Sequence, residues 1–298
     1  MPISLRGAKI LKELTNMDFR VLNMIETLLR KGEYAPVDKI VTYSGYRAKD
    51  VDLILSKLNK MKLTRRWKGQ FVGYSLSLSG FDALALNTLY NKKIIYGVGQ
   101  TRGVGKESDI YHAIDFEENE IMIKINRTGR ASFQQIKKKR DFLKNKFHYS
   151  MFSTAEIAAK REYKILKELK DKKLPIPDVK GHNRHIIAME VVEGRELINV
   201  QYLKKPIKTL ESIIEFAKIL YQKYNIVHAD LTEYNILYNE ENSDITIIDF
   251  PQAVHVDHLE DINLLTRDFT HLLEYFGKKW GITTDEVDTV IDYIIGKK

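Results

Sequence analysis

Cysteine is absent from this sequence, and so are long apolar runs. Without cysteine the chain cannot have a disulfide framework, a thiolate nucleophile or a cysteine-ligated zinc or iron–sulfur site. No segment approaches the ~18 consecutive apolar residues that a transmembrane helix needs, and the first residues lack the apolar core of a secretory signal. These absences predict a cytoplasmic protein without membrane contact. Its 44% hydrophobic and 30% charged residues are typical of globular chains.

The charge is unevenly placed along the 298 residues. Residues 1–90 carry a formal net charge of +7 and residues 124–146 carry +8, whereas the rest carries −7, which leaves +8 overall. Basic segments within an acidic remainder favour contact with a polyanion, of which nucleic acid is the commonest. The alternative is a basic face that contacts only water.

The first 90 residues have the pattern of a winged helix. Apolar residues recur at helical spacing over residues 18–31, a short second pattern covers 36–43, and a longer helical pattern covers 48–61, with Gly45 at the turn between the last two. Two β-prone runs around Gly69 then predict a hairpin. Two helices joined by a glycine turn and followed by a hairpin are typical of a helix-turn-helix domain with a wing. Many winged helices bind protein instead of nucleic acid, but this wing carries three cations that could contact phosphates: Arg65, Arg66 and Lys68.

A glycine-rich turn, Gly103-Val-Gly105-Lys106-Glu107-Ser108, lies between two predicted strands. Glycine lets the backbone approach phosphate oxygens closely. Two glycines in a hairpin more often simply make a turn, so this motif alone is weak. It is not a P-loop, because Lys106 is followed by Glu107 and not by Ser or Thr.

Lys124 lies within an apolar strand pattern, Ile121-Met-Ile-Lys-Ile. Burying an unpaired ammonium group is costly, so this lysine needs an anionic partner. A nucleotide phosphate would serve, and so would a carboxylate from the following helix, where Glu162 is the first candidate and Glu156 the second. The alternative is a lysine that faces solvent from an edge strand.

Two further motifs follow in the second half of the chain. His228-Ala-Asp230-Leu-Thr-Glu-Tyr-Asn235 has the form H-x-D-x-x-x-x-N, in which the Asp accepts or positions a proton and the Asn binds a divalent cation. Asp249 ends the apolar run Ile247-Ile-Asp, where its carboxylate could bind Mg²⁺. Taken singly, each Asp is more often a strand-end cap or turn residue, but the four pieces in this order favour a phosphotransfer site.

Together these pieces resemble the protein-kinase signature, and in detail the chain resembles the RIO family of atypical serine/threonine kinases in its second, winged-helix-bearing subtype. The departures from ordinary kinases fit that family: Asp249-Phe-Pro stands where Asp-Phe-Gly is usual, no Ala-Pro-Glu follows, and few residues remain for a peptide-gripping lobe. The absence of a long C-terminal extension makes an archaeal member the expectation.

The resemblance implies an α+β fold in which a winged helix over residues 1–90 precedes a reduced bilobal protein-kinase-like domain over 91–298. The N-lobe would cover 91–188 and the C-lobe 193–298.

The resemblance also implies the role of each site residue. The catalytic residues would be Asp230, Asp249 and Lys124. The metal ligands would be Asn235 and Asp249, and the phosphorylated residues Asp249 and Ser132. The nucleotide-binding residues would be Gly103, Gly105, Lys106, Glu107, Ser108, Lys124, Glu162, Met189, Glu190 and Val192.

The implied function is an ATP- and Mg²⁺-dependent kinase and ATPase that phosphorylates itself, with Mn²⁺ as a substitute metal. The family is linked to small-subunit maturation, so the expected partners are pre-ribosomal RNA and ribosomal proteins. One alternative is a DNA-binding regulator whose kinase-like domain only senses ATP. Another is a small-molecule phosphotransferase, which the Gly-Lys-Glu-Ser-Asp turn and the winged helix disfavour.

Overall fold

The computed structural model describes residues 13–127, 144–256, 261–283 and 285–297. Its contacts divide the chain into two compact units. Unit 1 comprises Met1–Lys160 with Lys180–Met189, and unit 2 comprises Arg161–Val179 with Glu190–Lys298. The winged-helix domain therefore shares unit 1 with the first sheet of the kinase-like domain. In the part of the chain that the structure describes, no helix is both long and apolar enough to cross a membrane.

The winged helix forms as its sequence pattern predicts. Its elements are α1 (Asn16–Leu29), β1 (Ala35–Pro36), α2 (Val37–Ser44), α3 (Ala48–Lys60), β2 (Thr64–Lys68), β3 (Val72–Leu76) and α4 (Leu78–Asn91). Gly45 ends α2 with a left-handed φ of 74°, which glycine adopts without strain. The strands pair antiparallel in the order β1-β3-β2, and β2 and β3 form the wing.

The first half of the kinase-like domain is a five-stranded sheet. Its elements are β4 (Gly97–Val104), β5 (Ser108–Ile114), β6 (Glu120–Asn126), α5 (Lys144–Glu168), β7 (Val179–Asn183) and β8 (Ile186–Glu190). The strand order is β4-β5-β6-β8-β7. Sequence patterns did not predict β7, because its residues Val-Lys-Gly-His-Asn are mostly polar.

Helix α4 belongs to two hydrophobic cores at once. Its first half packs into the winged-helix core through Phe81 and Leu84, and its second half packs into the core of the five-stranded sheet through Leu86 and Leu89. Gly80 makes the close packing possible, since a Cβ there would lie 2.3 Å from the carbonyl oxygen of Leu63. Most of α4 is apolar and buried, and α4 therefore joins the winged helix to the sheet.

Unit 2 is mainly helical with short strand pairs. Its elements are β9 (Arg195–Glu196), a 3₁₀ turn (Leu197–Asn199), α6 (Pro206–Tyr224), β10 (Ile226–Val227), β11 (Ile236–Tyr238), β12 (Ile245–Ile247), β13 (Val254–His255), α7 (Asp261–Trp280) and α8 (Val287–Ile295). The strands form one sheet in the order β12-β11-β9 and a separate β10-β13 pair. The motif residues lie in the loops that follow β10 and β12.

Candidate active site

The loop that carries Asp230 runs from β10 to β11 and is held from α7. Arg267 donates through Nη2 to the carbonyl oxygen of Ala229, and Asp268 Oδ2 accepts from the Leu231 N–H at 3.0 Å. Ala229 has a left-handed φ of 61°, which a non-glycine residue adopts only where its surroundings impose it. Two side chains of one helix thus fix the backbone on both sides of Asp230.

Asp230 and Asn235 are brought together within this loop. The Asn235 amide nitrogen donates to the Asp230 carbonyl oxygen at 2.8 Å and to its Oδ2 at 3.0 Å. Because both amide hydrogens are committed to Asp230, the side-chain oxygen of Asn235 is the atom left to offer to a cation. The H-x-D-x-x-x-x-N spacing therefore produces a linked pair in the folded chain.

Asp249 lies beside this pair, just after β12. The Ile248 N–H donates to the carbonyl oxygen of Asn235 at 2.9 Å, and His228 donates through Nε2 to the carbonyl oxygen of Ile248 at 3.2 Å. The His228 ring also packs edge-on against Phe250, with centroids 4.6 Å apart. Asp249 itself has a left-handed φ of 72°. His228 and Asn235 thus brace the turn in which Asp249 lies.

The electrostatics of this loop favour a bound cation. Burial raises the pKa of Asp230 above its ordinary value, and the negative charges of Asp249 and Asp268 add to the effect. The Asn235 hydrogen bond and the Arg267 charge oppose the rise without cancelling it. Carboxylates that repel one another in a partly buried site are stabilised by a metal ion. Among the described residues, no group of three or more His, Cys, Asp or Glu could hold a metal alone.

Glu162 is buried in unit 2, where its α5 side chain is only 1% exposed. Its Oε1 accepts from the Phe250 N–H at 3.4 Å, so the carboxylate contacts the turn that follows Asp249. Lys124 lies in unit 1. The pairing of Glu162 with Lys124 stays a prediction. Lys124 is buried in the middle of β6, opposite Ile110 of β5.

The glycine-rich turn joins β4 to β5 in unit 1. Gly105 donates its N–H to the Ser108 carbonyl oxygen at 2.8 Å, so the hairpin uses this amide itself. A side chain at Gly103 would meet nothing within 4 Å, and Lys106 and Glu107 are exposed. The turn is thus an open surface with two charged side chains and Ser108 at its base.

Met189 and Glu190 end β8, and both Met189 and Val192 are buried. The Glu190 N–H donates to the Asp178 carbonyl oxygen at 2.9 Å, and Glu190 Oε1 accepts from the Asp178 N–H at 2.9 Å. Ser132 lies outside the described residues.

Sequence reasoning missed a buried charged cluster next to the glycine-rich turn. Asp82, Asp109, Arg127 and His185 are all buried and contact one another in unit 1. A signal was present, since Asp82 is the single charged residue of α4, whose other residues are mainly apolar. Arg267 and Asp268 were missed as well, because only the fold brings α7 to the catalytic loop.

Two protein-family models match the chain. The model described as "RIO domain" matches residues 109–289, which is more than half of the chain, and the model described as "Rio2, N-terminal" matches residues 11–92.

Several characterised relatives are similar along almost the whole chain. A RIO-type serine/threonine-protein kinase Rio2 from Methanocaldococcus jannaschii is 37% identical over 278 residues, covering 89% of this chain and 99% of that protein. The serine/threonine-protein kinase rio2 of Dictyostelium discoideum is 35% identical over 272 residues, which is 91% of this chain. The chain spans about half of the length of the Dictyostelium relative, 52%.

A solved structure matches both domains. The crystal structure of the Rio2 kinase–ADP/Mg²⁺–phosphoaspartate complex from Chaetomium thermophilum has a TM-score of 0.82 and 28% identity, and covers 97% of this chain and 88% of that one.

Proposed function

Because this chain belongs to the RIO family and carries the N-terminal domain of its Rio2 branch, we propose that it is an ATP- and Mg²⁺-dependent serine/threonine protein kinase and ATPase. We further propose that it phosphorylates itself and acts in the cytoplasm, in maturation of the small ribosomal subunit. The observation that carries the enzymatic proposal is the linked arrangement of Asp230, Asn235 and Asp249 in unit 2.

Each of these three residues has a distinct task in phosphoryl transfer. Asp230 accepts the proton of the attacking hydroxyl group or water, and Asn235 holds its carboxylate in place. Asp249 and the Asn235 oxygen are the proposed ligands of Mg²⁺, and two oxygen ligands suit an ion that completes its shell with water and phosphate oxygens. When bound, Mg²⁺ neutralises charge on the transferring phosphoryl group.

Asp249 is also the proposed acceptor of the phosphoryl group. One of its carboxylate oxygens would attack the γ-phosphorus as the bond to the leaving ADP oxygen breaks, and water would later hydrolyse the acyl phosphate. The Rio2 complex from Chaetomium thermophilum, which is described as an ADP/Mg²⁺–phosphoaspartate complex, supports this proposal. Such an intermediate makes the protein suited to a cycle of ATP hydrolysis.

We propose that the nucleotide contacts the motif positions that the family resemblance identifies. Lys124 and the turn residues would meet the phosphates, and the strand-end residues would meet the base. The residues assigned to this role are Gly103, Gly105, Lys106, Glu107, Ser108, Lys124, Glu162, Met189, Glu190 and Val192.

The proposed macromolecular partners are pre-ribosomal RNA and ribosomal proteins, with no membrane. The wing supports RNA contact, because Arg65, Arg66 and Lys68 are all exposed. Helix α3, the usual recognition helix, contributes less positive charge, because Lys57 donates to the buried carboxylate of Asp18 at 2.6 Å. The wing is therefore the proposed phosphate-binding element of this domain.

Phosphate release and autoradiography with γ-labelled ATP test the enzymatic proposal. In the presence of Mg²⁺, the wild-type chain should hydrolyse ATP and incorporate labelled phosphate into itself. After Mg²⁺ is removed with a chelator, added Mn²⁺ should restore the activity. Asp230→Ala should lower the rate by about a thousandfold or more, whereas Asp285→Ala, at an exposed position outside the site, should leave it unchanged. Full activity in Asp230→Ala would exclude the assigned role.

Crosslinking in cells tests the partner proposal. Recovery of small-subunit ribosomal RNA precursors supports it. Recovery of promoter DNA without ribosomal RNA would instead favour a transcriptional regulator.

A further inference from the structure

A buried ion cluster connects the winged helix to the five-stranded sheet. Arg127, which follows β6, donates through Nη1 and Nη2 to the two carboxylate oxygens of Asp82 in α4, at 2.8 and 2.7 Å. Its Nε donates to Asp109 Oδ2 of β5 at 3.2 Å. His185, between β7 and β8, lies 2.7 Å from Asp82 Oδ1 through Nε2. Helix α4, strand β5, the end of β6 and the β7–β8 turn therefore meet around the guanidinium group of Arg127.

Burial and the neighbouring charges together set the protonation states of the cluster. Burial lowers the pKa of His185 and outweighs the opposing effect of Asp82, so the ring is neutral and donates through Nε2. Its Nδ1 is buried without a hydrogen-bond partner, which is less costly for an unprotonated nitrogen than for an N–H. Although burial alone would raise the pKa of Asp82, Arg127 and His185 hold it below its ordinary value. The Arg127–Asp82 pair is thus fully charged and bidentate.

The main chain of Arg127 holds the glycine-rich turn. Its N–H donates to the carbonyl oxygen of Glu107 at 2.6 Å. Asp109, which the Arg127 side chain contacts, lies only two residues further along. One residue therefore grips the turn at Glu107 and Asp109, on either side of Ser108.

We propose that Arg127 is a positioning residue for the glycine-rich turn, and that through Asp82 it makes nucleotide affinity depend on the docking of the winged helix. The inference rests on the proposed nucleotide binding by this turn. Arg127 itself contacts the turn and α4, and its assigned role is to hold Glu107 and Ser108 in the place that binds phosphates.

Burial explains why the Arg127–Asp82 contact can transmit a movement of α4 to the glycine-rich turn. Separating a buried, bidentate pair leaves an uncompensated charge on each side, which costs far more than separating an exposed pair. A shift of α4 must therefore move Arg127 with it or break the pair, and either outcome alters the turn.

The same two parts of unit 1 are joined by a second arginine contact, which provides a matched control. Arg184, in the β7–β8 turn, donates through Nε and Nη2 to the two carboxylate oxygens of Glu26 in α1, at 2.7 and 2.6 Å. Its other hydrogen-bond partners include Asn23 and Thr88, and none of these residues lies in the glycine-rich turn. Glu26→Gln thus removes the same charge from the winged helix without touching the turn.

The test compares Asp82→Asn with Glu26→Gln in the full chain. Asp82→Asn should raise the KM for ATP and the Kd for a fluorescent ADP analogue by about tenfold, the usual size of a coupling between sites, while kcat changes less than twofold. Glu26→Gln should leave both constants unchanged at a temperature where each variant is folded. Equal constants in wild type and Asp82→Asn, or an equal rise in both variants, would overturn the inference.

A second measurement decides the matter if Asp82→Asn does not fold. Because coupling is reciprocal, ADP with Mg²⁺ should slow amide hydrogen exchange in residues 80–84 of wild-type α4 as well as in residues 104–109. Protection of 104–109 with no change in 80–84 would overturn the inference. Failure of the wild-type chain to bind nucleotide would instead contradict the proposed function, so the two failures are distinguishable.

Discussion

Asp230 shows how a single residue can be suited to catalysis at a cost in stability. Burial and the charge of Asp249 raise its pKa, so the ionised form is less favourable in the folded chain than in the unfolded chain. For such a group, the stability of the fold is greatest below the unfolded-state pKa and falls as pH rises through the folded-state pKa. At neutral pH the nucleotide-free protein therefore contains an unfavourable negative charge where a cation is expected.

Asp230→Asn should consequently stabilise the nucleotide-free protein while it removes activity. The amide has nearly the same shape and carries no charge that repels Asp249. Thermal unfolding at neutral pH should give a higher Tm than wild type, and ATP hydrolysis should fall by about a thousandfold or more. The Tm difference should shrink near pH 3, where the wild-type carboxyl group is protonated. An unchanged or lower Tm at pH 7 would contradict the assigned electrostatics.

Arg267 is expected to shift the acid limit of activity by a small amount. Its charge lowers the pKa of Asp230, and Asp230 must be ionised to accept a proton. Arg267→Gln should therefore move the acid limb of the pH–rate profile to higher pH, by a small amount because the Arg267 side chain is 58% exposed. The pH dependence of kcat checks this, with Lys278→Gln, an exposed cation of the same helix, as control. A shift to lower pH would contradict it.

At the scale of elements, α1 has a capping box at its N-terminus. The Thr15 hydroxyl accepts from the Asp18 N–H at 3.3 Å, and the Asp18 carboxylate accepts from the Thr15 N–H at 2.7 Å. The same carboxylate also accepts from Lys57 of α3. The cap therefore determines both where α1 begins and how α3 packs against it.

Thr15→Ala should lower the free energy of unfolding of unit 1 by about 1 kcal/mol, the usual contribution of such a cap. Thr27→Ala is the matched control, because Thr27 lies exposed within α1 and donates only to the Asn23 carbonyl oxygen. That change should be neutral, since Ala favours a helix interior. Urea unfolding followed by circular dichroism measures both variants. Equal midpoints for Thr15→Ala and wild type would contradict the prediction.

Helix α4 marks the limit of prediction at this scale. Its existence follows from a run of apolar residues after an N-capping Ser77, whose hydroxyl accepts from the Gly80 N–H. Its membership of two cores does not follow from the sequence. The hydrophobic period separates a buried face from an exposed face, and a mostly buried helix has little exposed face to reveal. The strand β7 was missed because its residues have little β-propensity of their own, and only pairing with β8 stabilises them as a strand.

At the scale of the whole molecule, charge placement predicts the character of RNA binding. Replacing Arg65, Arg66 and Lys68 together with Gln should weaken binding to a small-subunit rRNA fragment. It should also reduce the slope of log K against log salt concentration by up to about 2, at about 0.7 per lost phosphate contact on a single strand. Fluorescence anisotropy at several salt concentrations measures both quantities.

The control for this prediction keeps the net charge change the same. Lys208, Lys223 and Lys297 are exposed in unit 2, and their joint replacement with Gln should leave the slope nearly unchanged. Equal losses in the two triple variants would mean that the wing binds only through the overall charge of the protein.

The winged helix, the kinase-like motifs and the residues Asp230, Asn235 and Asp249 can be predicted from the sequence alone. These features are local: the spacing within one loop sets the contact of Asp230 with Asn235, and hydrophobic period sets the helices. The fold was needed to show that α4 serves two cores, that α7 supports the catalytic loop through Arg267 and Asp268, and that Arg127 joins Asp82 to the glycine-rich turn. Those contacts unite residues far apart in sequence, and their free energy depends on burial, which exists only once the chain has folded.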